Sequence, residues 1–268
     1  MKTQELRHFG LKAPPFFKEI DDTNLWLPPS KAALVDDLCD AVEARESVLL
    51  VGDPGAGKTC VLRALRQRLA QGCFRLTYCS NVTLGRRDFY RQLCLALGLD
   101  AKATAAAVFG AVSANIEVLA KEHVHPVFVL DEAHLMHQDV LDHLHILMNF
   151  DWDSRALLSL VLVGLPDLAD RLRLRRNRSL YTRLQHRFAI DPITPDDASE
   201  YLTTRLASAG AKKEIFTSDA IAMIHEAAAG GLRDIDRIAT RALRVAARDK
   251  SKLVERHHLV AFLEEAAP

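Results

Sequence analysis

Apolar and polar positions along the chain fall into two regimes. Between residues 31 and 193 short apolar runs alternate with stretches of helical period, and from Thr194 onward only the helical period remains. The runs predict strands at 48–51 (VLLV), 73–80 (CFRLTYCS), 126–131 (PVFVLD), 156–166 (ALLSLVLVGLP) and 188–193 (FAIDPI). Helices are predicted over 31–46, where Leu34, Val35, Leu38 and Val42 share a face, and after residue 59, where Val61, Leu62, Leu65 and Leu69 do. Further helices are predicted over 88–97, over the alanine-rich 103–121, after 134, and through an arginine-rich stretch at 167–187. The switch from alternation to helices alone is a domain boundary. The expected division is an N-terminal segment and first helix packing on the core (1–46), an α/β domain (47–193) and a helical domain (194–268). Residues 1–30 hold two Pro-Pro pairs together with Phe9, Phe16, Phe17 and Trp26, so this segment is irregular chain that must pack on something.

Composition narrows the reading. The 268 residues carry 35 Lys and Arg against 35 Asp and Glu, so net charge gives no argument for a nucleic-acid partner and only its distribution can. Five cysteines without a C-x-x-C pair fit reduced thiols rather than a disulfide framework or zinc site. No apolar stretch reaches membrane-spanning length, and MKTQELRHFG lacks an apolar signal core, so a cytoplasmic chain without a membrane partner is expected. His134, His137, His143 and His145 do not form a metal-binding helix motif and are expected at a surface or interface.

The first chemistry lies at GDPGAGKT, between a strand and a helix. Gly52, Asp53, Pro54, Gly55, Ala56, Gly57, Lys58, Thr59 and Cys60 match the loop whose backbone N–H groups cradle a nucleoside triphosphate. Glycines let those groups turn inward. The following helix directs its positive end at the phosphates. Lys58 supplies a point charge, and the Thr59 hydroxyl is a ligand for Mg²⁺. The cofactors expected are therefore ATP and Mg²⁺.

A second half of the site is expected at Asp131-Glu132, where a neighbouring parallel strand ends at the same crevice. Asp131 would hold the Mg²⁺ shell while Glu132 orients and deprotonates the attacking water. Residues 171–187 carry seven arginines and no acid. Three roles stay open for them: a solvated basic face, contacts to DNA phosphates, or an arginine acting in trans on a neighbour's nucleotide. Arg183 is the candidate for the last role, with Arg187 second.

Taken together, FGL…PF, GDPGAGKT, VLDEAH, VLVGLPDL, TRLQHRF and GGLRDIDRIATRAL resemble the AAA+ ATPases of the ExeA type. Relatives of this size are the ATPase partners of DDE transposases, similar to TnsC, TniB, IstB and MuB. The resemblance implies an α/β fold, the P-loop NTPase AAA+ αβα sandwich with a five-stranded parallel sheet, followed by an all-α lid domain. It implies that Arg233 reaches the γ-phosphate from the lid and that Phe9, Leu11 and Phe16 wall the adenine pocket. It also implies that Asn81, Thr83, Arg86, Arg87, Arg91, Lys102 and Thr104 bind the backbone of duplex DNA without reading bases. One departure stands out: where many such proteins carry a polar sensor after the fourth strand, this chain reads Val163-Gly164-Leu165-Pro166.

The function expected on these grounds is an ATPase that oligomerises on double-stranded DNA as a ring or filament, recruits a DDE transposase and disassembles on hydrolysis. Two alternatives belong to other classes: an ExeA-like secretion ATPase, and an ATP-gated adaptor or helicase loader.

Overall fold

The computed structural model describes residues 1–17, 19–100 and 104–263. They cluster into two units, one of residues 29–52, 58–100 and 104–190, the other of residues 1–17, 19–28, 53–57 and 191–263. In chain order, α1 (Thr3–Phe9) belongs to the second, helical unit. The sheet unit then runs α2 (Pro29–Glu43), β1 (Ser47–Gly52), α3 (Lys58–Arg68), β2 (Phe74–Cys79), α4 (Arg86–Ala96), α5 (Ala105–Lys121) and β3 (His125–Leu130). It continues through α6 (Gln138–Leu147), β4 (Ser159–Gly164), α7 (Asp167–Arg173), α8 (Arg178–Tyr181) and β5 (Leu184–Ile190). The helical unit resumes with α9 (Pro195–Ser208), α10 (Ser218–Ala228), α11 (Leu232–Arg248) and α12 (Arg256–Leu263).

All five strands run parallel in the order β2-β3-β4-β1-β5. Every residue of β3 and β4 is buried, which is why, beyond His125 and Ser159 at their starts, both read as unbroken apolar runs. Leu49, Phe128, Leu130, Leu160 and Leu162 join Phe89 and Leu93 of α4, Val112 and Ile116 of α5, and Leu141 and Leu144 of α6 in one core.

Two expectations about boundaries change. The last strand begins at Leu184 rather than at 188, and the helical stretch expected through 187 breaks at Leu174 and ends at Tyr181. At that break the buried Asn177 side chain donates to the Arg171 carbonyl at 2.8 Å. As an edge strand, β5 buries alternate positions and wets Gln185, Arg187 and Ala189, a pattern that Gln185, His186 and Arg187 disguised as a polar helix face. The N-terminal segment also divides differently. Only α2 and the turn after it belong with the sheet, while residues 1–28 join the helical unit. There Leu11 is buried, Phe9 and Phe16 pack around it, and Trp26 lies 5.1 Å from the Tyr201 ring.

One polar chain crosses the sheet floor. The buried His125 Nε2 lies 2.9 Å from the Ser159 hydroxyl, and the Ser47 hydroxyl accepts from Leu160 N at 2.9 Å. Burial, aided by the Arg45 charge, pushes His125 down from 6.5 to about 4, so the folded chain holds it neutral. Between those two values the unfolded chain binds the extra proton. Stability is therefore complete above pH 6.5 and falls as the pH drops toward 4. The full loss is about 3 kcal/mol. Urea unfolding at a series of pH values should show this slope, and His125→Gln should flatten it; an equal slope in both proteins would remove His125 as its cause.

Candidate functional site

The phosphate-loop residues separate into two neighbourhoods. In the sheet unit, Lys58 opens α3 and is buried, with Nζ donating to the Gly52 carbonyl at 2.6 Å. Thr59 is exposed beside it and Cys60 is half-buried. In the helical unit, loop residues 53–57 turn through Gly55 at φ 86° and Gly57 at φ 101°, values that a side chain would strain. Ala56 N donates to Asp53 O at 3.2 Å, and Gly55 O accepts from Leu232 N at 3.0 Å. Arg233, exposed in the first turn of α11, has its Cβ 3.6 Å from where a Gly55 Cβ would stand. Loop residue and lid arginine are thus neighbours.

The GG pair ahead of Arg233 has a steric reason. A Cβ on Gly230 would meet Ile193 O at 2.6 Å and Pro192 Cβ at 2.7 Å, and Gly230 itself sits at φ 70°. Gly230 O accepts from Ile193 N at 3.1 Å, which fixes where α11 begins.

Strand register brings the carboxylates to the loop's edge of the sheet. Leu130 pairs with Leu162, and Leu162 with Leu49. Asp131 therefore stands level with Val163 and Leu50, two residues short of Gly52. It lies two strands from β1, roughly 10 Å. Asp131 is buried, and both its oxygens are engaged. Oδ1 accepts from Glu132 N at 2.9 Å, and Oδ2 accepts from the Tyr78 hydroxyl at 2.6 Å. Burial, that bond and the two acidic charges hold the Tyr78 phenol far above its ordinary range, so it remains a donor. Glu132 is exposed, has left-handed backbone (φ 54°, ψ 32°) and lies 3.5 Å from His134 Nδ1. A short 3-10 turn, Ala133–Leu135, follows it before α6 begins.

Tyr78 was not singled out from sequence. Tyr78 ends up beside Asp131 because β2 pairs with β3, a fact about strand order that alternation within β2 only hints at. Gly164 closes β4 where a Cβ would meet Leu168 Cδ2 at 2.8 Å and His134 N at 3.2 Å. The apolar sensor position thus follows a glycine over which the His134 turn packs. Arg171 anchors that turn by donating to His134 O at 3.0 Å.

Other expected site residues fall as follows. Arg183, half-buried at the turn into β5, donates to Asp153 Oδ2 at 2.5 Å and to Ser179 O at 3.1 Å. Arg187 lies within β5 with its guanidinium 4.0 Å over the Tyr181 ring, so it is a strand residue and not the end of a helix. Asn81, Thr83, Arg86 and Arg87 are exposed after β2 and at the start of α4, and Arg91 is half-buried one turn on. Thr104 caps α5 by accepting from Ala107 N, whereas Lys102 lies outside the described residues. Phe9, Leu11 and Phe16 pack within the helical unit. Residue types fit a magnesium nucleotide. Glycine-borne amides and Lys58 suit phosphates, and the Thr59 hydroxyl with one carboxylate suits a metal that keeps most of its ligands from water and substrate. No group of three or more His, Cys, Asp and Glu able to hold a metal occurs among the described residues.

An AAA domain model matches residues 40–172. The General secretion pathway protein A of Aeromonas hydrophila is 31% identical over 250 residues, a match spanning 92% of this chain and 46% of that protein. Drosophila ORC bound to DNA superposes with a TM-score of 0.70 at 20% identity, over all of this chain and 67% of that one. CDC6P from Pyrobaculum aerophilum does so with a TM-score of 0.67 at 20% identity, over 88% and 68%. Likeness at that identity speaks for the fold alone. Among the described residues no helix is long and apolar enough to cross a membrane. The five-stranded parallel sheet, the loop that ends β1 and the AAA match make this chain a P-loop ATPase of the AAA+ class.

Proposed function

We propose that this ATPase assembles on duplex DNA in its ATP-bound form, as a ring or helical filament, and comes apart when ATP is hydrolysed to ADP and phosphate. Marking target DNA for a DDE transposase is the use that the sequence resemblance supports. The observation that carries the DNA reading is the exposed row Asn81, Thr83, Arg86 and Arg87, an amide, a hydroxyl and two guanidiniums in one short segment at the end of an edge strand. Such groups hold phosphates and do not read bases. The solved structure of Drosophila ORC bound to DNA lends this reading support from a protein of like fold.

Chemistry would run as follows. Amides of the loop hold the phosphates, Lys58 leaves the Gly52 carbonyl to meet the β- and γ-oxygens, and Thr59 and Asp131 hold the metal. When bound, Mg²⁺ draws charge from the phosphates. Tyr78 would keep the Asp131 carboxylate aimed through its hydroxyl hydrogen bond. Glu132 takes the proton of the attacking water, Arg233 meets the γ-phosphate from the lid, and Arg183 leaves Asp153 to complete a neighbour's site. A second reading, a secretion ATPase, is favoured by the 31% identity with General secretion pathway protein A, although the chain spans less than half that protein's length. DNA binding separates the two.

Three outcomes are expected. Glu132→Gln, loaded with ATP, should stay oligomeric and bind duplex DNA. Its log affinity should fall against log salt with a slope of about −3 if Arg86, Arg87 and Arg91 each neutralise a phosphate. Binding that ignores ATP, or no binding at all, would favour the secretion reading. Tyr78→Phe should raise the Mg²⁺ concentration for half-maximal turnover about tenfold, because an outer partner of a metal ligand is lost; an unchanged Mg²⁺ curve would reduce Tyr78 to packing. Arg183→Ala should bind ATP yet lose DNA-stimulated turnover, and mixing with Lys58→Ala subunits should restore part of it. If mixing restores nothing, Arg183 does not act in trans.

A further inference from the structure

The turn between α6 and β4 combines two features that folding alone does not explain. Asp151, Trp152 and Asp153 are successive non-glycine residues with φ of 48°, 61° and 66°. Side chains disfavour that region, and it persists only where surroundings over-determine it. Here they do. Ser154 N and Oγ donate to Asp151 O at 3.2 and 2.6 Å, and Arg155 donates to Asp151 Oδ2 at 2.9 Å. Arg183 holds Asp153, and Phe150 bridges Arg155 in antiparallel fashion. The tip of this rigid turn is Trp152, with 100% of its surface in water.

A place of matching character exists in the helical unit. A cleft of about 470 Å³ is floored by Leu202 and Leu206 of α9 and by Ile215, Phe216 and Ile221 in and before α10. Its rim carries Lys212 and Lys213, with Glu214 beside them. A flat aromatic ring suits such a floor, and an ammonium group is attracted to its face. Asp151, on one side of Trp152, is already paired with Arg155, and Asp153, which Arg183 holds until assembly, is opposite in charge to the lysine rim.

We propose that Trp152 is an anchor for self-association and seats in this α9–α10 cleft of a second copy. It rests on the self-association reading above and deepens it. A patch meeting a different patch on the next molecule gives a head-to-tail contact, and repetition of that contact builds a ring or an open filament. The same turn also carries Asp153, the partner of Arg183, so the residue assigned to the neighbour's nucleotide travels with the anchor. A rigid, preformed tip loses little freedom on docking.

The chain has two tryptophans, Trp26 and Trp152, so Trp26→Phe leaves Trp152 as the only one. Sedimentation and tryptophan emission are followed together, with a slowly hydrolysed ATP analogue and duplex DNA. As oligomers form, emission should move to shorter wavelength and acrylamide quenching should fall. Trp152→Ala should raise the concentration for half-assembly at least about tenfold, the behaviour of a central aromatic anchor. Thr203→Arg, at an exposed position in the cleft mouth, should do the same while the monomer still binds ATP. Oligomers whose Trp152 stays wet would overturn the anchor and leave self-association standing. Loss of water contact at Trp152 with no effect of Thr203→Arg would overturn the cleft as its seat. Absence of oligomers at any concentration would overturn both readings.

Discussion

Parallel pairing of β4 with β3 on one side and β1 on the other is the constraint from which the site follows. Parallel neighbours end at the same edge of a sheet, so a strand finishing in Gly52 and one finishing before Asp131 present their ends together. The pairing in turn depends on β3 and β4 being buried at every position, since only helices on both faces can cover such strands. A charge inside either run would cost both core and site.

Within that frame, the reactive groups are held by neighbours in place of solvent. Lys58 waits on the Gly52 carbonyl, Asp131 on Tyr78 and the Glu132 amide, and Arg183 on Asp153. Side chains held this way keep one orientation, and ordering them costs little further entropy. Glu132 differs: its left-handed backbone turns it out of the strand direction, where water can reach it.

Much of this was legible in the residues. The loop, the carboxylate pair and the switch to helices alone were readable because each has a local pattern: glycines at fixed offsets, a β run ending in acids, a change of period. The start of β5 was not. An edge strand is half wet, and Leu184-Gln185-His186-Arg187 has the polarity of a helix surface. Residues 1–28 were assigned to the wrong neighbour for a related reason. Aromatic residues announce that a segment packs, yet say nothing of where, and Trp26 found Tyr201 of α9.

Local order in this chain determined which stretches become strand, phosphate loop and helix, because periodicity and glycine placement act within a few residues. Tertiary structure alone decided that Tyr78 would donate to Asp131, that Gly164 would lie beneath the His134 turn, that Gly230 would press on Ile193, and that Trp152 would stand in water. Those facts come from strand order and from contacts between residues far apart in the chain. No short window of sequence carries them, since each depends on which elements become neighbours once the backbone has closed its hydrogen bonds.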